Sequence, residues 1–338
     1  MLVSACGTQD DPAVENEDNL QLSDKEIHLE IAGWKSMTES RANIFESEDD
    51  FLYADGTKKI GNDFTLYAFT RGSDTPFING TRVNYQVRDD GMHRWRFYAD
   101  PNYIEYYWPQ TGTFDFFACM PYGERQKNIT NIAYDKSSGN VTLTCNMPET
   151  TGSLDDPNGQ ETIFAYTPNL TKENGSVDMH FVHPFSAVNF KLEKSHRDLT
   201  INFIQFDDIH LGGSITLTEK TAVDATIKWE PTGSTGTFKI PVNKIIPKDI
   251  NYGDPVGNTF LVMPQTFTAN AQITISYTWN GETNEFSHSI KTDKIEGWVA
   301  GSKYLYKLSL GDSEGEIVFQ VEVEPWMSGG VKNEIDVE

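Results

Sequence analysis

The sequence predicts an all-β protein made of antiparallel sheets, and three observations support this fold class. Apolar and polar residues alternate over short runs, which is the period of a β-strand. Gly, Asn, Asp and Pro separate these runs at intervals of roughly 8–12 residues, as in β-sandwiches and barrels. Long helical patterns are nearly absent. The runs are too many for one sandwich, and 338 residues suffice for two domains.

The runs of the N-terminal half begin with "EIHLEIAG", in which Ile27, Leu29 and Ile31 share one face. "FTLYAFT" at 64–70 is apolar on both faces and predicts a strand buried on both sides. "RVNYQVRDDGMHRWRFY" at 82–98 predicts a hairpin around Asp90 and Gly91.

The next run, "TFDFFACMPY", follows the same alternation. It places Phe114, Phe116 and Ala118 on one face of a strand, and Asp115, Phe117 and Cys119 on the other. The next runs along the chain are "NVTLTCNM", "ETIFAYTP" and "SVDMHFV".

The C-terminal half continues in the same manner. Its runs are "AVNFKLEK", "LTINFIQFDDIHL", "GSITLT", "TIKWEP", "GTFKIPV", "NTFLVMPQT", "AQITISYTWNGETNEFSHSI", "KYLYKLSL" and "EIVFQVEVEPW". Between the halves, residues 168–178 are polar and rich in turn formers, which favours a domain break there. We therefore predict a tether at 1–24, an N-terminal β-sandwich domain at 25–172 and a C-terminal one at 173–338.

The two predicted domains need separate hydrophobic cores. We expect Trp108, Phe114 and Phe116 in the first core. Phe181, Val188 and Phe190 are expected in the second.

The net charge of −23 restricts the function classes. Nucleic-acid binding needs clustered Lys and Arg, so this charge opposes it, as it opposes adhesion to anionic membranes. Residues 1–50 hold thirteen Asp or Glu against three Lys or Arg, which predicts a solvated tether over much of that segment.

The three cysteines are too few for a disulfide framework. Val3, Ser4 and Ala5 precede Cys6 in a pattern that resembles a lipoprotein lipobox, so we expect lipidation at Cys6, although only five residues precede it. Cys119 and Cys145 lie in strand-like runs. In an exported protein they either pair or remain buried thiols.

Sites for catalysis or metal binding are weak in this sequence. No nucleotide, metalloprotease or nucleophile motif is present, and we expect no cofactor. His180 and His183 stand three apart, so a strand points them to opposite faces and they are more readily structural than metal ligands. Residues 154–161 gather acidic side chains that suit calcium, but their spacing misses the EF-hand pattern and favours a surface turn.

The densest aromatic cluster is "YIEYYWP" at 103–109. Its Tyr103, Tyr107, Trp108 and Pro109 suit either a platform that stacks on sugar rings or the interior of a sandwich. The interior is the commoner use of such residues.

Several stretches taken together resemble the fimbrillin family, the subunits and accessory proteins of surface fimbriae in Bacteroidales. No single motif is specific, but their order along residues 25–326 is. They are "SRA" at 40–42, "YYWP" at 106–109, "FDFFACMPY" at 114–122, "ETIFAYT" at 161–167, "VDMHFVHPFSAVNFKL" at 177–192, "FLVMPQT" at 260–266, "WVAGSKYLYKL" at 298–308 and "VEVEPW" at 321–326. The departures, such as Cys119 where Tyr is usual, remove no apolar core position.

This resemblance implies two transthyretin-like antiparallel β-sandwich domains in tandem. It also implies export as a lipoprotein to the outer membrane and cell surface, and assembly with other fimbrial subunits by β-strand donation. Arg41, followed by Ala42, resembles the site at which a trypsin-like protease matures the subunit. Cleavage there would free the strand around Leu29, while "VFQVEVEPW" or "GGVKNEIDVE" would supply a donor strand.

Two other function classes remain. A surface lipoprotein that binds glycans for nutrient uptake would use the same location and the same β architecture, and it would show an exposed aromatic platform. A secreted hydrolase is the third and least favoured class, and we expect no enzyme activity.

Overall fold

The computed structural model describes the parts of the chain from which the fold can be read. These are residues 21–31, 63–87, 93–120, 122, 129–147, 149, 162–195, 198–218, 228–247, 259–310, 317–325 and 333–335. The described residues form β-strands and no helix, which confirms the all-β prediction.

The strands follow the runs of alternating residues. Up to residue 182 they are β1 Leu22–Glu26, β2 His28–Ile31, β3 Phe64–Thr70, β4 Pro76–Val87, β5 His93–Ala99, β6 Asn102–Ile104, β7 Tyr107–Pro109, β8 Phe114–Met120, β9 Ile129–Asp135, β10 Asn140–Asn146, β11 Ile163–Leu170, β12 Ser176–Met179 and β13 Phe181–Val182. Beyond it they are β14 Ser186–Ser195, β15 Leu199–Leu217, β16 Lys228–Ile246, β17 Phe260–Val262, β18 Gln265–Thr266, β19 Gln272–Trp279, β20 Glu282–Ser289, β21 Gly297–Trp298, β22 Ser302–Leu310, β23 Ile317–Pro325 and β24 Asn333–Ile335.

The first sheet has the strand order β12-β2-β5-β4-β3-β8-β11-β13, with β6 added to β5. The predicted hairpin is present, because β4 and β5 pair antiparallel with Val87 opposite His93. One pair in this sheet is parallel, β2 with β12, which the antiparallel prediction did not foresee. Strands β12 and β13 thus extend the sheet of the N-terminal half, and the domain boundary at residue 172 stays a prediction.

The second sheet is organised around the long hairpin of β15 and β16. One end of β15 pairs with β10 through residues 212–217, and the other pairs with β19 through residues 200–207. Strands β15 and β16 were each predicted as two separate runs, and this prediction was wrong. Gly212 and Gly213, which resemble a turn, lie inside β15 beside an irregularity of the register.

The third sheet has the order β17-β14-β22-β23-β24. Strands β14 and β22 pair in parallel, whereas β23 pairs antiparallel with both β22 and β24. Two short ladders, β1 with β7 and β18 with β21, complete the described pairing.

Alternation along the strands separates two hydrophobic cores. In β8, Phe114 and Phe116 lie in the first core as predicted, and Phe117 and Cys119, predicted on the opposite face, lie in the second core. The first sheet is therefore buried on both faces where β3 and β8 lie, because each core covers one face.

The expected core residues fall into place with one exception. Val188 and Phe190 lie in the second core, and Trp108 lies in the first with Phe114 and Phe116. Phe181 was expected in the second core, but it packs in the first, with its ring 5.5 Å from that of Phe64. The physical reason is that β13 pairs with β11 of the first sheet.

Candidate assembly site

The N-terminal segment, residues 21–31, is held in the fold by strand pairing. Strand β1 pairs antiparallel with β7, and β2 lies between β12 and β5. Between the two strands, the Ile27 amide donates to the Tyr106 carbonyl at 2.8 Å, and just before β1 the Gln21 carbonyl accepts from the Gln110 amide at 2.6 Å. Strand β2 of this segment therefore fills a position inside the first sheet, and β1 forms a separate ladder with β7.

Three apolar residues of the segment point into the first core, whereas Leu22 is exposed. Ile27 and Leu29 are 2% and 5% exposed, and Ile31 packs against the same core, whereas His28 and Glu30 are exposed. The predicted shared face of Ile27, Leu29 and Ile31 is thus confirmed. Full burial of one such side chain contributes about 1.5–3 kcal/mol.

Ion pairs of the segment lie at its rim. Lys25 Nζ is 3.1 Å from Glu173 Oε2, and Arg94 Nη1 is 3.6 Å from Glu26 Oε1. Exposed pairs of this kind contribute about 0–1 kcal/mol, so backbone pairing and apolar burial dominate the attachment.

The groove that receives the segment has strands as walls and apolar side chains as its floor. Strands β5 and β12 flank β2, and β7 flanks β1. Trp108, Val177 and Met179 are fully buried members of the same core. The Trp108 indole Nε1 donates to the Gly175 carbonyl at 3.1 Å, which fixes β7 against the turn before β12. Without the segment, this groove would expose unpaired backbone groups and an apolar floor.

The C-terminal strands occupy a different kind of position. Strand β23 is paired on both sides, whereas β24 pairs only with β23, Val321 lying opposite Ile335. Of the two proposed donor stretches, "VFQVEVEPW" is therefore part of the third sheet, and the terminal stretch contributes an edge strand.

The other predicted sites have mixed outcomes. Cys6, Arg41, Ala42 and residues 154–161 lie outside the described residues. In the described ranges, no group of three or more His, Cys, Asp or Glu side chains is placed to hold a metal ion. His183 is buried, and His180 is partly buried.

The two later cysteines are buried thiols and do not form a disulfide with each other. Both lie in the second core. Burial raises the pKa of Cys145 to about 12, so its thiol stays protonated at neutral pH.

The aromatic platform read from residues 103–109 is not formed as such. Trp108 and Pro109 are buried, because β7 faces the first core. Tyr103 and Tyr107 remain partly exposed.

Sequence reasoning missed a buried ionic network. Asp115 is fully buried; Arg71 Nε and Nη2 donate to its carboxylate at 2.5 and 3.1 Å. The Tyr134 hydroxyl and the Asn169 amide donate to the same group at 2.7 and 2.8 Å. Asp115 was placed on the correct face, but nothing in the sequence indicated partners so distant along the chain.

A second missed feature is a set of arginine and tyrosine side chains on β4, β5 and β6. Arg82 lies over the ring of Tyr98, and Arg96 lies over that of Tyr103. The available signal was the density of arginines in the run at 82–98, which was used only to predict a hairpin.

A family model described as fimbrillin-like matches residues 49–326 of this chain. A search of curated proteins found no match. No helix long and apolar enough to cross a membrane occurs within the described ranges.

Two solved structures resemble this fold. A fimbrial protein from Bacteroides vulgatus is 14% identical, with a TM-score of 0.55, over 90% of this chain and 100% of that one. A candidate cell adhesion protein from Bacteroides uniformis is 16% identical, with a TM-score of 0.53, over 90% and 99% of the two chains. At these identities the likeness concerns the fold.

Proposed function

This chain belongs to the fimbrillin-like family, and from that premise we propose that it is a structural or accessory subunit of a cell-surface fimbrium that supports adhesion. Its partners are other fimbrial subunits, and strand donation joins them after proteolysis. The family indicates a fimbrial role at the cell surface; the assembly steps below are part of the proposal.

The observation that carries the assembly proposal is the position of residues 21–31. Strand β2 adds to the first sheet, β1 pairs with β7, and the segment buries anchors at alternate positions, as a donated strand does in β-augmentation. Cleavage between Arg41 and Ala42 would separate this segment from the rest of the chain. Once the segment leaves, the groove accepts an extended strand from another subunit.

The donor in this proposal is the C-terminal stretch that contains β24. Its release breaks one ladder at a sheet edge, whereas release of β23 would break two and divide the third sheet.

Anchoring of the precursor is proposed to occur through lipid on Cys6. A buried acyl chain contributes about 0.8 kcal/mol per CH₂. In a precursor with its export signal, Cys6→Ser should abolish acyl labelling and retention in the outer membrane. Retention equal to wild type would remove lipidation from the proposal.

The maturation step is tested by limited trypsin treatment of the full chain, followed by N-terminal sequencing and sizing. We expect a new N-terminus at Ala42 and ladders of higher mass when subunits are mixed. Arg41→Gln should prevent both, whereas Lys25→Gln, which removes a partly exposed cation of the same segment, should prevent neither. Stable monomers after cleavage at Arg41 would contradict the proposal.

A further inference from the structure

The side of β4, β5 and β6 that faces away from the first core has an unusual composition. Val83 and Phe97 point into the first core, so their neighbours on each strand point to the other side. That side carries Arg82 and Arg96, together with three aromatic residues. We call it the arginine–tyrosine face; its members are Arg82, Arg96, Tyr98, Tyr103 and Tyr122.

Arginines are concentrated in the part of the sequence that contains β4 and β5. Four of its eight arginines lie between residues 82 and 96, and none follows Arg197. The chain as a whole carries a net charge of −23, so this concentration runs against its overall composition. A local cluster of guanidinium groups in such a chain is complementary to an anionic partner.

These arginines differ in whether an acidic side chain pairs with their charge. Arg82 pairs with the buried Asp63, and Arg94 lies 3.6 Å from Glu26. Arg96 has no ion pair or hydrogen bond in the described part of the chain, and its side chain is only partly buried. Its guanidinium therefore keeps its capacity for a carboxylate.

Both arginines of this face lie over tyrosine rings. The Arg96 guanidinium carbon lies 4.5 Å from the centroid of the Tyr103 ring. Arg82 lies 5.1 Å from the ring of Tyr98 and 5.4 Å from that of Tyr122. A guanidinium stacked on a ring keeps its N–H groups in the plane, where they bind a carboxylate bidentately.

The tyrosines give the face an apolar component. The rings of Tyr98 and Tyr103 are 5.2 Å apart and both are partly exposed, and Tyr122 is 40% exposed. Amphipathic aromatics beside arginine are the residue types enriched in recognition surfaces.

Two polar atoms on the same side also have unused hydrogen-bonding capacity. Asn84 lies opposite Arg96 in the register and is 5% exposed, and its Oδ1 has no donor among the described residues. The Nε of Arg94 has no acceptor there. Both atoms are buried beneath this side of the sheet, and their unpaired state costs free energy in the folded protein.

We propose that the arginine–tyrosine face binds a carboxylate-bearing sugar, such as a sialic or uronic acid. Arg96 donates to the sugar carboxylate, and the partly exposed Tyr98 and Tyr103 rings pack against the C–H face of the sugar. A sugar acid combines the two features that Arg96 and the tyrosine rings require, a carboxylate and an apolar ring face. An acidic peptide has the carboxylate but lacks the rigid ring, so the sugar is the better fit.

The test is calorimetric titration of the full, uncleaved chain with sialyllactose and with trigalacturonic acid. Lactose is the matched neutral control, because it differs from sialyllactose only by the sialic acid. We expect binding of at least one acidic sugar, no binding of lactose, and weaker binding at higher salt. Arg96→Gln should lower the affinity about tenfold or more, as expected for a hydrogen bond to a charged group.

Matched variants distinguish binding at this site from nonspecific attraction of the ligand to positive charge. Lys244→Gln removes one exposed positive charge elsewhere and should leave the affinity unchanged. Tyr103→Phe should retain binding, whereas Tyr103→Ala should lose it with the ring. The proposal is overturned by failure of both acidic sugars, by unchanged affinity in Arg96→Gln, or by tighter binding of a poly-glutamate peptide. Because the uncleaved monomer is used, none of these outcomes depends on fimbrial assembly.

Discussion

Two arginine sites on the same side of the first sheet have different surroundings. Arg71 follows β3 and reaches the buried Asp115, whose carboxylate also accepts hydrogen bonds from Tyr134 and Asn169. Arg96, on β5, rests on the ring of Tyr103 without a carboxylate in the described ranges. The Arg71 guanidinium is therefore paired inside the fold, whereas the Arg96 guanidinium is available to bind a ligand.

The difference follows from what covers each region. At β3 and β8, this side of the first sheet faces the second core, where a charge is retained only with a partner and full hydrogen bonding. At β4 and β5, the side chains of Arg82 and Arg96 remain partly exposed, and contact with solvent stabilises Arg96 without an ion pair. The same residue type therefore stabilises the fold in one place and is available for recognition in the other.

The largest expected effect comes from breaking the buried pair. Asp115→Ala leaves the Arg71 guanidinium and the Tyr134 hydroxyl without their acceptor, and we expect a loss of about 3–5 kcal/mol in the free energy of unfolding. Arg96→Ala should change it by less than about 0.5 kcal/mol. Urea unfolding of both variants measures this comparison, and similar losses in the two would show that both arginines are structural.

The residues of this comparison show what the sequence could predict. Alternation placed Asp115, Phe117 and Cys119 on one face of β8, because the side-chain period of a strand is set by its own backbone. The partnership with Arg71 was not predictable, because it depends on a contact between residues 44 positions apart.

The pairing partners of the strands also could not be predicted from local sequence patterns. Alternation found β2, but its parallel pairing with β12 joins residues distant along the chain. Phe181 was misplaced for the same reason, since its run does not reveal which sheet it joins. Gly212 and Gly213 carry a turn signal that pairing with β10 and β16 overrides.

The second largest loss of stability is expected in the turn that packs against Arg71. Gly139 has φ +72°, and a Cβ added there would meet the Arg71 guanidinium. Gly72 has φ +80°, but a Cβ there would meet nothing within 4 Å. We expect Gly72→Ala to cost about 1 kcal/mol from backbone strain, and Gly139→Ala to cost more because it also displaces Arg71. Equal losses in thermal or urea unfolding would mean that the contact with Arg71 adds nothing.

The smallest expected effect on stability concerns Tyr134, beside Asp115, in comparison with Tyr98 on the arginine–tyrosine face. Burial, then the hydrogen bond to Asp115, raises the pKa of Tyr134. In the unfolded chain, a tyrosine ionises near its usual pKa of about 10. The stabilisation is therefore fully present below about pH 10 and is lost as the pH rises towards the folded pKa.

Tyr134→Phe should consequently lower stability by about 1 kcal/mol at neutral pH, the usual contribution of one hydrogen bond. It should also make the alkaline decline of stability shallower than in wild type, because one group that ionises on unfolding has been removed. Tyr98 donates to Asp100 at 3.0 Å on the exposed arginine–tyrosine face, where water screens the interaction. Tyr98→Phe should therefore leave both the neutral stability and the alkaline slope close to wild type. Urea unfolding between pH 7 and pH 11 measures both quantities, and a larger change in Tyr98→Phe than in Tyr134→Phe would reverse the assignment of the two sites.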